Sequence, residues 1–165
     1  MIRHVLALSC ALAMPAALCA QQPSVKVEPP HVQGSRPVEQ LTEAAVVRDY
    51  LEGWQSFRAA MEQNRPALLS PAFVGTAQDK LTSTIQQQAA LGIHTRYIDR
   101  SHDLQIVFYS PEGLSIQLID NVAYDEQVFD QNNVLTTQHL RARYIAVLTP
   151  AATRWTVRIF QAAPE

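Results

Sequence analysis

Cysteine is almost missing from this chain of 165 residues: there are two, Cys10 and Cys19, and both fall in the first twenty positions. If that segment is an export signal, the mature protein holds no thiol. Disulfides, cysteine nucleophiles and thiolate metal sites are then excluded, even in an oxidising compartment. Glycine is scarce as well, with five residues. Val74-Gly75-Thr76 puts a single glycine ahead of a helix, which is no phosphate loop, and Gly-x-Ser-x-Gly does not occur. Nor does charge of one sign accumulate. Removing Arg3 with the leader leaves 12 basic against 15 acidic side chains, a net −3, with the signs interspersed. This pattern offers nucleic acid no basic stripe. After residue 20 no apolar run approaches the length of a membrane span, so no transmembrane anchor is expected in the mature form.

What is present begins with the leader. Arg3 and His4 precede an apolar stretch from Val5 to Leu18, and cleavage is expected after Ala20, with Cys19 as the alternative. A lipid anchor at Cys19 is disfavoured by Leu18, where a small residue is needed. The expected product is exported, periplasmic or secreted. Residues 21–37, with Pro23, Pro29, Pro30 and Pro37, read as a flexible linker, and domain content is expected over 38–162.

The first half of that domain reads as helix. Apolar residues at Val46, Val47, Tyr50, Leu51, Trp54, Phe57 and Met61 form one broad stripe, closed by Asn64-Arg65-Pro66. A short helix broken at Pro71 follows. A third helix is expected from an N-cap at Thr76 to Gly92. From Ile93 the period falls to two. Strands are expected over His94–Arg100, Leu104–Tyr109 and from Leu114 to about Val128, then a terminal hairpin of His139–Leu148 and Thr153–Phe160. Helices first and strands last predict an α+β domain. Ile145 and Val147 lie opposite in phase to Tyr144 and Leu148, so both sheet faces carry apolar residues. Curling, a dimer partner or the chain before Val38 would cover the second.

Val46-Val-Arg-Asp-Tyr-Leu-Glu-Gly-Trp54 opening the helices and Arg154-Trp-Thr-Val-Arg-Ile159 closing the sheet resemble the nuclear-transport-factor-like (NTF2-like, SnoaL-like) superfamily, which includes ketosteroid isomerase and polyketide cyclases. Leu68 to Gly75, the helix to Gly92, Ala142-Arg-Tyr144 and Trp155 are most similar to the domain shared by mitochondrial import and chloroplast-division proteins. The resemblance implies amino-terminal helices packed on a strongly curved antiparallel sheet, cone-shaped with a cystatin-like layout. It also implies a pocket between the layers, lined by Tyr50, Trp54, Phe73, Tyr124, Tyr144 and Trp155.

Asp120 is the one chemical candidate. Leu114, Ile116, Leu118, Asp120, Val122 and Tyr124 alternate, which sets a carboxylate in an apolar row where burial would suit it to act as a general base; a bulge at Asp120-Asn121 would turn it outward instead. Tyr50, Tyr97, Tyr124 and Tyr144 are the available hydroxyl donors. His94, His102 and His139 with Asp99, Asp103 or Asp125 lack metal spacing, so neither a metal nor a cofactor is expected. Arg141, Arg143, Arg154 and Arg158 on the terminal hairpin form a candidate patch for an anion or partner. Two functions are open. One is an exported non-catalytic domain binding a protein or small apolar ligand, with a homodimer through the sheet face; the other is a small cofactor-free isomerase, cyclase or dehydratase using Asp120.

Overall fold

The computed structural model describes residues 22–32 and 36–163; the expected leader lies outside them. In chain order the elements are β1 (Ser24–Val27), α1 (Gln40–Gln63), a 3-10 turn (Pro66–Leu69), α2 (Gly75–Ala90), β2 (Ile93–Tyr109), β3 (Ile116–Asp130), β4 (Asn133–Pro150) and β5 (Trp155–Ala162).

The stripe expected on α1 is the one that is buried: Val46, Tyr50, Trp54, Phe57 and Met61 all enter the core. Asn64, left-handed at φ 51°, ends the helix, and its side-chain amide donates to the carbonyl of Ile93 at 2.8 Å. α2 starts at Gly75, one residue before the expected cap. Its first residue has φ +55°, which glycine adopts without a Cβ penalty, and no side-chain bond caps the helix. At the other end Gly92 takes φ +73°, the left-handed exit expected there.

The sheet runs in the order β1-β2-β3-β4-β5. The two strands expected over residues 94–109 are one, β2, which continues through a register shift between Asp99 and Ser101. That extra residue restores the inward phase, so Thr95 and Asp99 before it and His102, Leu104 and Ile106 after it all face the helices. β3 crosses Asp120 without a shift, pairing Leu104↔Asp120↔Tyr144. The outward-turning bulge at Asp120-Asn121 therefore does not form.

Two features correct the expected architecture. The sheet is mixed: β1 runs parallel to β2, from Ser24↔Ser101 to Val27↔Leu104. It is also open, neither closed nor strongly curled, so the cone-shaped, strongly curved antiparallel layout does not hold. β1 and β5 sit at opposite ends of the strand order and do not meet. Curling was expected in order to cover apolar side chains on the outer face, but Phe108 and Ile159 there stay partly exposed. β1 lies inside the segment read as a linker. Its four side chains are all exposed, Val25 and Val27 among them, and main-chain bonds hold it to β2.

Candidate functional site

The inward row of β3 brings Asp120 beneath α1, and the regular register on both sides leaves it no way out. Tyr50, one turn before Trp54 on α1, donates its hydroxyl to Asp120 Oδ2 at 2.9 Å. His102, returned to the inner face by the β2 bulge, donates from Nδ1 to the same oxygen at 2.7 Å. Its other nitrogen, Nε2, stands 3.8 Å from Asp99 Oδ2. Asp99 accepts from the Trp54 indole at 2.8 Å and from Arg58 at 2.5 Å. Cation and carboxylate thus alternate along Arg58, Asp99, His102 and Asp120, and Tyr50 caps the line.

Burial and charge act against each other here. Burial disfavours the His102 imidazolium, but hydrogen bonds and attraction from Asp120 and Asp99 outweigh it and raise its pKa to about 9. For Asp99 burial alone would favour the neutral acid, yet hydrogen bonds from His102, Trp54 and Arg58 hold it below the ordinary carboxylate range. Burial, then the charge of Asp120, pushes the Tyr50 phenol well above its usual value. At neutral pH His102 is therefore a cation between two acids. The second oxygen of Asp120, Oδ1, is buried with no partner among the described residues.

The side chains expected to line a pocket fill the space instead. Trp54 contacts His102, Tyr144, Phe160 and Phe57 edge-on, at centroid distances of 5.2 to 5.7 Å, with Tyr124 at 6.2 Å. Tyr144 stacks on Phe160 at 4.7 Å, and Phe73 meets the same ring at 5.5 Å. Trp155 lies apart from this cluster, against Tyr109, and its main-chain N–H donates to buried Asp49 at 2.7 Å. Asp120 and His102 are 0% and 2% exposed. Across the sheet lies a concavity of about 410 Å³ lined by Ser101, Asp103, Asn121, Arg141 and Arg143.

The four hairpin arginines do not assemble. Arg141 and Arg143 face that outer groove, whereas Arg154 turns to Glu52 on α1 at 3.0 Å and Arg158 lies over Gly75 at the start of α2. Cross-strand register explains the split, because β5 pairs only with Tyr144 to Pro150 and never comes opposite Arg141 or Arg143. Of the buried network, the sequence pointed to Asp120 and Tyr50 but missed His102, Asp99 and Arg58. Period-two alternation puts Asp99 and His102 on opposite faces; only a bulge between them unites them. Among the described residues no group of three His, Cys, Asp or Glu side chains is arranged to hold a metal ion, and no helix is long and apolar enough to cross a membrane.

No protein-family model matches the chain, and no curated protein matches its sequence. Solved structures do match its fold. The intermembrane-space region of the chloroplast protein ARC6 superposes with a TM-score of 0.61 at 12% identity, over 79% of this chain and 100% of that one. A candidate scytalone dehydratase from Novosphingobium aromaticivorans gives 0.53 at 12% identity, over 76% and 89%. A candidate dehydratase of the NTF2-like family from Streptomyces avermitilis gives 0.51 at 11%, over 74% and 98%. The chain has the NTF2-like, SnoaL-like fold, as its helix and strand patterns implied.

Proposed function

We propose that this chain is an exported, non-catalytic binding domain that recognises a protein partner. One observation carries the reading: the acid–base pair Asp120–His102 is sealed, with the aromatic cluster around Trp54 occupying the volume a substrate would need. A ligand site of ordinary size needs about 300 Å³ or more of accessible space beside its polar groups. The buried charges then serve to fix the sheet against α1, tying the middle of β2 and β3 to three successive turns of the helix. The leader-like residues 1–20 support export.

A second reading rests on a different observation. Asp120 Oδ1 has no partner among the described residues, and the same carboxylate is held by a phenol and an imidazolium. This is the equipment of a cofactor-free dehydratase or isomerase, in which Asp120 would take a proton α to a carbonyl and His102 or Tyr50 would donate to the oxygen. It requires Trp54, Tyr144 and Phe160 to move aside.

Titration with 2-naphthol, a flat aromatic probe, separates the two. Resonances of Tyr50 and His102 are followed by NMR up to about 1 mM, the upper end of common KM values. The binding reading expects no saturable change. Saturable shifts at both residues would overturn it in favour of the enzyme.

A further inference from the structure

β4 is longer than the strand that covers its outer side. β3 pairs along it from Asn133 to Leu148, whereas β5 pairs only with Tyr144 to Pro150. The last main-chain bond on that side runs from the Ala163 N–H to the Arg143 carbonyl at 2.7 Å. From Asn133 to Ala142 one edge of β4 has no partner among the described residues. In an antiparallel strand the N–H and C=O of a residue point to the same side, and the sides alternate along the chain. The bond at Arg143 therefore sets the phase: Thr137, His139 and Arg141 direct their main-chain groups to the open edge.

The same residues carry the charge. β4 contains Arg141 and Arg143 and no acidic residue, and its His139 is hydrogen-bonded to Asp125 of β3 at 2.5 Å. Arg141 and Arg143 line the outer groove, and no ion pair engages either among the described residues. Toward the turn at residue 131 the edge becomes apolar, with Val134 and Leu135 52% and 59% exposed. A strand edge of this kind supplies affinity through main-chain bonds and specificity through alternate side chains.

The geometry points to strand addition: an extended acidic segment of a protein partner pairs antiparallel with the Asn133–Ala142 edge of β4, in line with β5. Its carboxylates lie opposite His139 and Arg141, beside Arg143, and its apolar end covers Val134 and Leu135. This gives the binding reading above its surface and partner chemistry, and it rests on that reading. A second copy of β4 fits less well, because β4 carries no acidic residue and self-pairing would bring Arg141 and Arg143 of both copies onto one sheet face.

The test uses the synthetic peptide VEVETVTIV, written to pair with Val134 to Ala142 and place glutamates opposite His139 and Arg141, and VKVKTVTIV as its charge-reversed control. Fluorescence anisotropy with the full chain should show the acidic peptide binding at least about tenfold tighter than the basic one, and Arg141→Glu should remove that preference. Thr137→Pro, which deletes an edge donor, should abolish binding while circular dichroism stays unchanged. If the proline variant unfolds, Arg141→Glu and hydrogen exchange decide. Amides of Thr137, His139 and Arg141 should gain protection with the peptide. Equal binding of both peptides, or protection elsewhere, overturns the proposal. Protection of this edge that rises with protein concentration and no peptide also overturns it, and hands the edge to a second copy. Failure of the peptide while 2-naphthol stays outside the core sinks strand addition alone; entry of 2-naphthol sinks the binding reading itself.

Discussion

Asp120 takes two hydrogen bonds on a single oxygen, and each comes from a group that is itself committed: the Tyr50 hydroxyl and the His102 imidazolium, which also faces Asp99. Breaking a buried ion pair leaves one charge without compensation, and this costs more than the intact pair contributes. Asp120→Asn is expected to lower stability by about 3 kcal/mol, and His102→Gln by a similar amount. Because the two act through one contact, the double variant should lose at least about 1 kcal/mol less than the sum of the single losses. Urea denaturation of the four proteins checks this; additive losses would show that the pair is not coupled. The sequence exposed only half of this residue pair. Asp120 stood out as a carboxylate in an apolar alternation, but His102 was hidden by the one-residue phase change at Arg100, and a bulge leaves no mark in the hydrophobic period.

At the scale of the element, helices and sheet strands differ in how openly the sequence declares them. α1 announced itself through apolar spacing and its Asn64-Arg65-Pro66 end, since the core stripe and the helix period coincide. β1 could not, because its side chains stay exposed outside the core and main-chain groups leave no residue signature. Its hold on the sheet edge should be correspondingly light. Hydrogen exchange is expected to show Lys26 and Glu28 amides, which face β2, opening with far less free energy than those of Leu118 or Val122, with no change in global stability. Equal protection would mean that β1 unfolds only with the domain. Within α1, Gly53 faces Val157, Ala72 and Phe73 at distances where a methyl group makes ordinary contact, 3.6 to 3.8 Å. Gly53→Ala should therefore raise stability by about 0.5 to 1 kcal/mol through helix propensity, read as a higher thermal midpoint. A lower midpoint would mean that β5 packs too tightly to accept the methyl group.

For the whole molecule the buried charges set a pH profile. His102 is raised in the folded state to about 9, from an unfolded value near 6.5. A group raised on folding stabilises fully below its unfolded pKa and loses that contribution as pH climbs through the folded one. Roughly 3 kcal/mol should fade between about pH 6.5 and 9. Asp99, lowered on folding, acts in the opposite direction: its contribution is present above its unfolded pKa and is lost as pH falls through the folded one. Urea midpoints measured from pH 6 to 9.5, below the range where free tyrosines ionise, should fall steadily in the native protein. In His102→Gln they should stay nearly flat. The order of helices and strands, and hence the α+β class, was legible from the change of period at Ile93. Openness of the sheet was not, since it depends on where β1 and β5 fall relative to each other, a relation between distant segments that no local pattern encodes.

The overhang of β4 beyond β5 bears on a different property, the solubility of the chain. Ten residues of unprotected strand, without proline and with two bare aliphatic side chains, could template the stacking of one molecule on the next. Arg141 and Arg143 then act as guards, because like charges repel an approaching copy. Removing them for any purpose should shorten the time the protein stays clear in solution, and raising the salt concentration should weaken the guard in the same way.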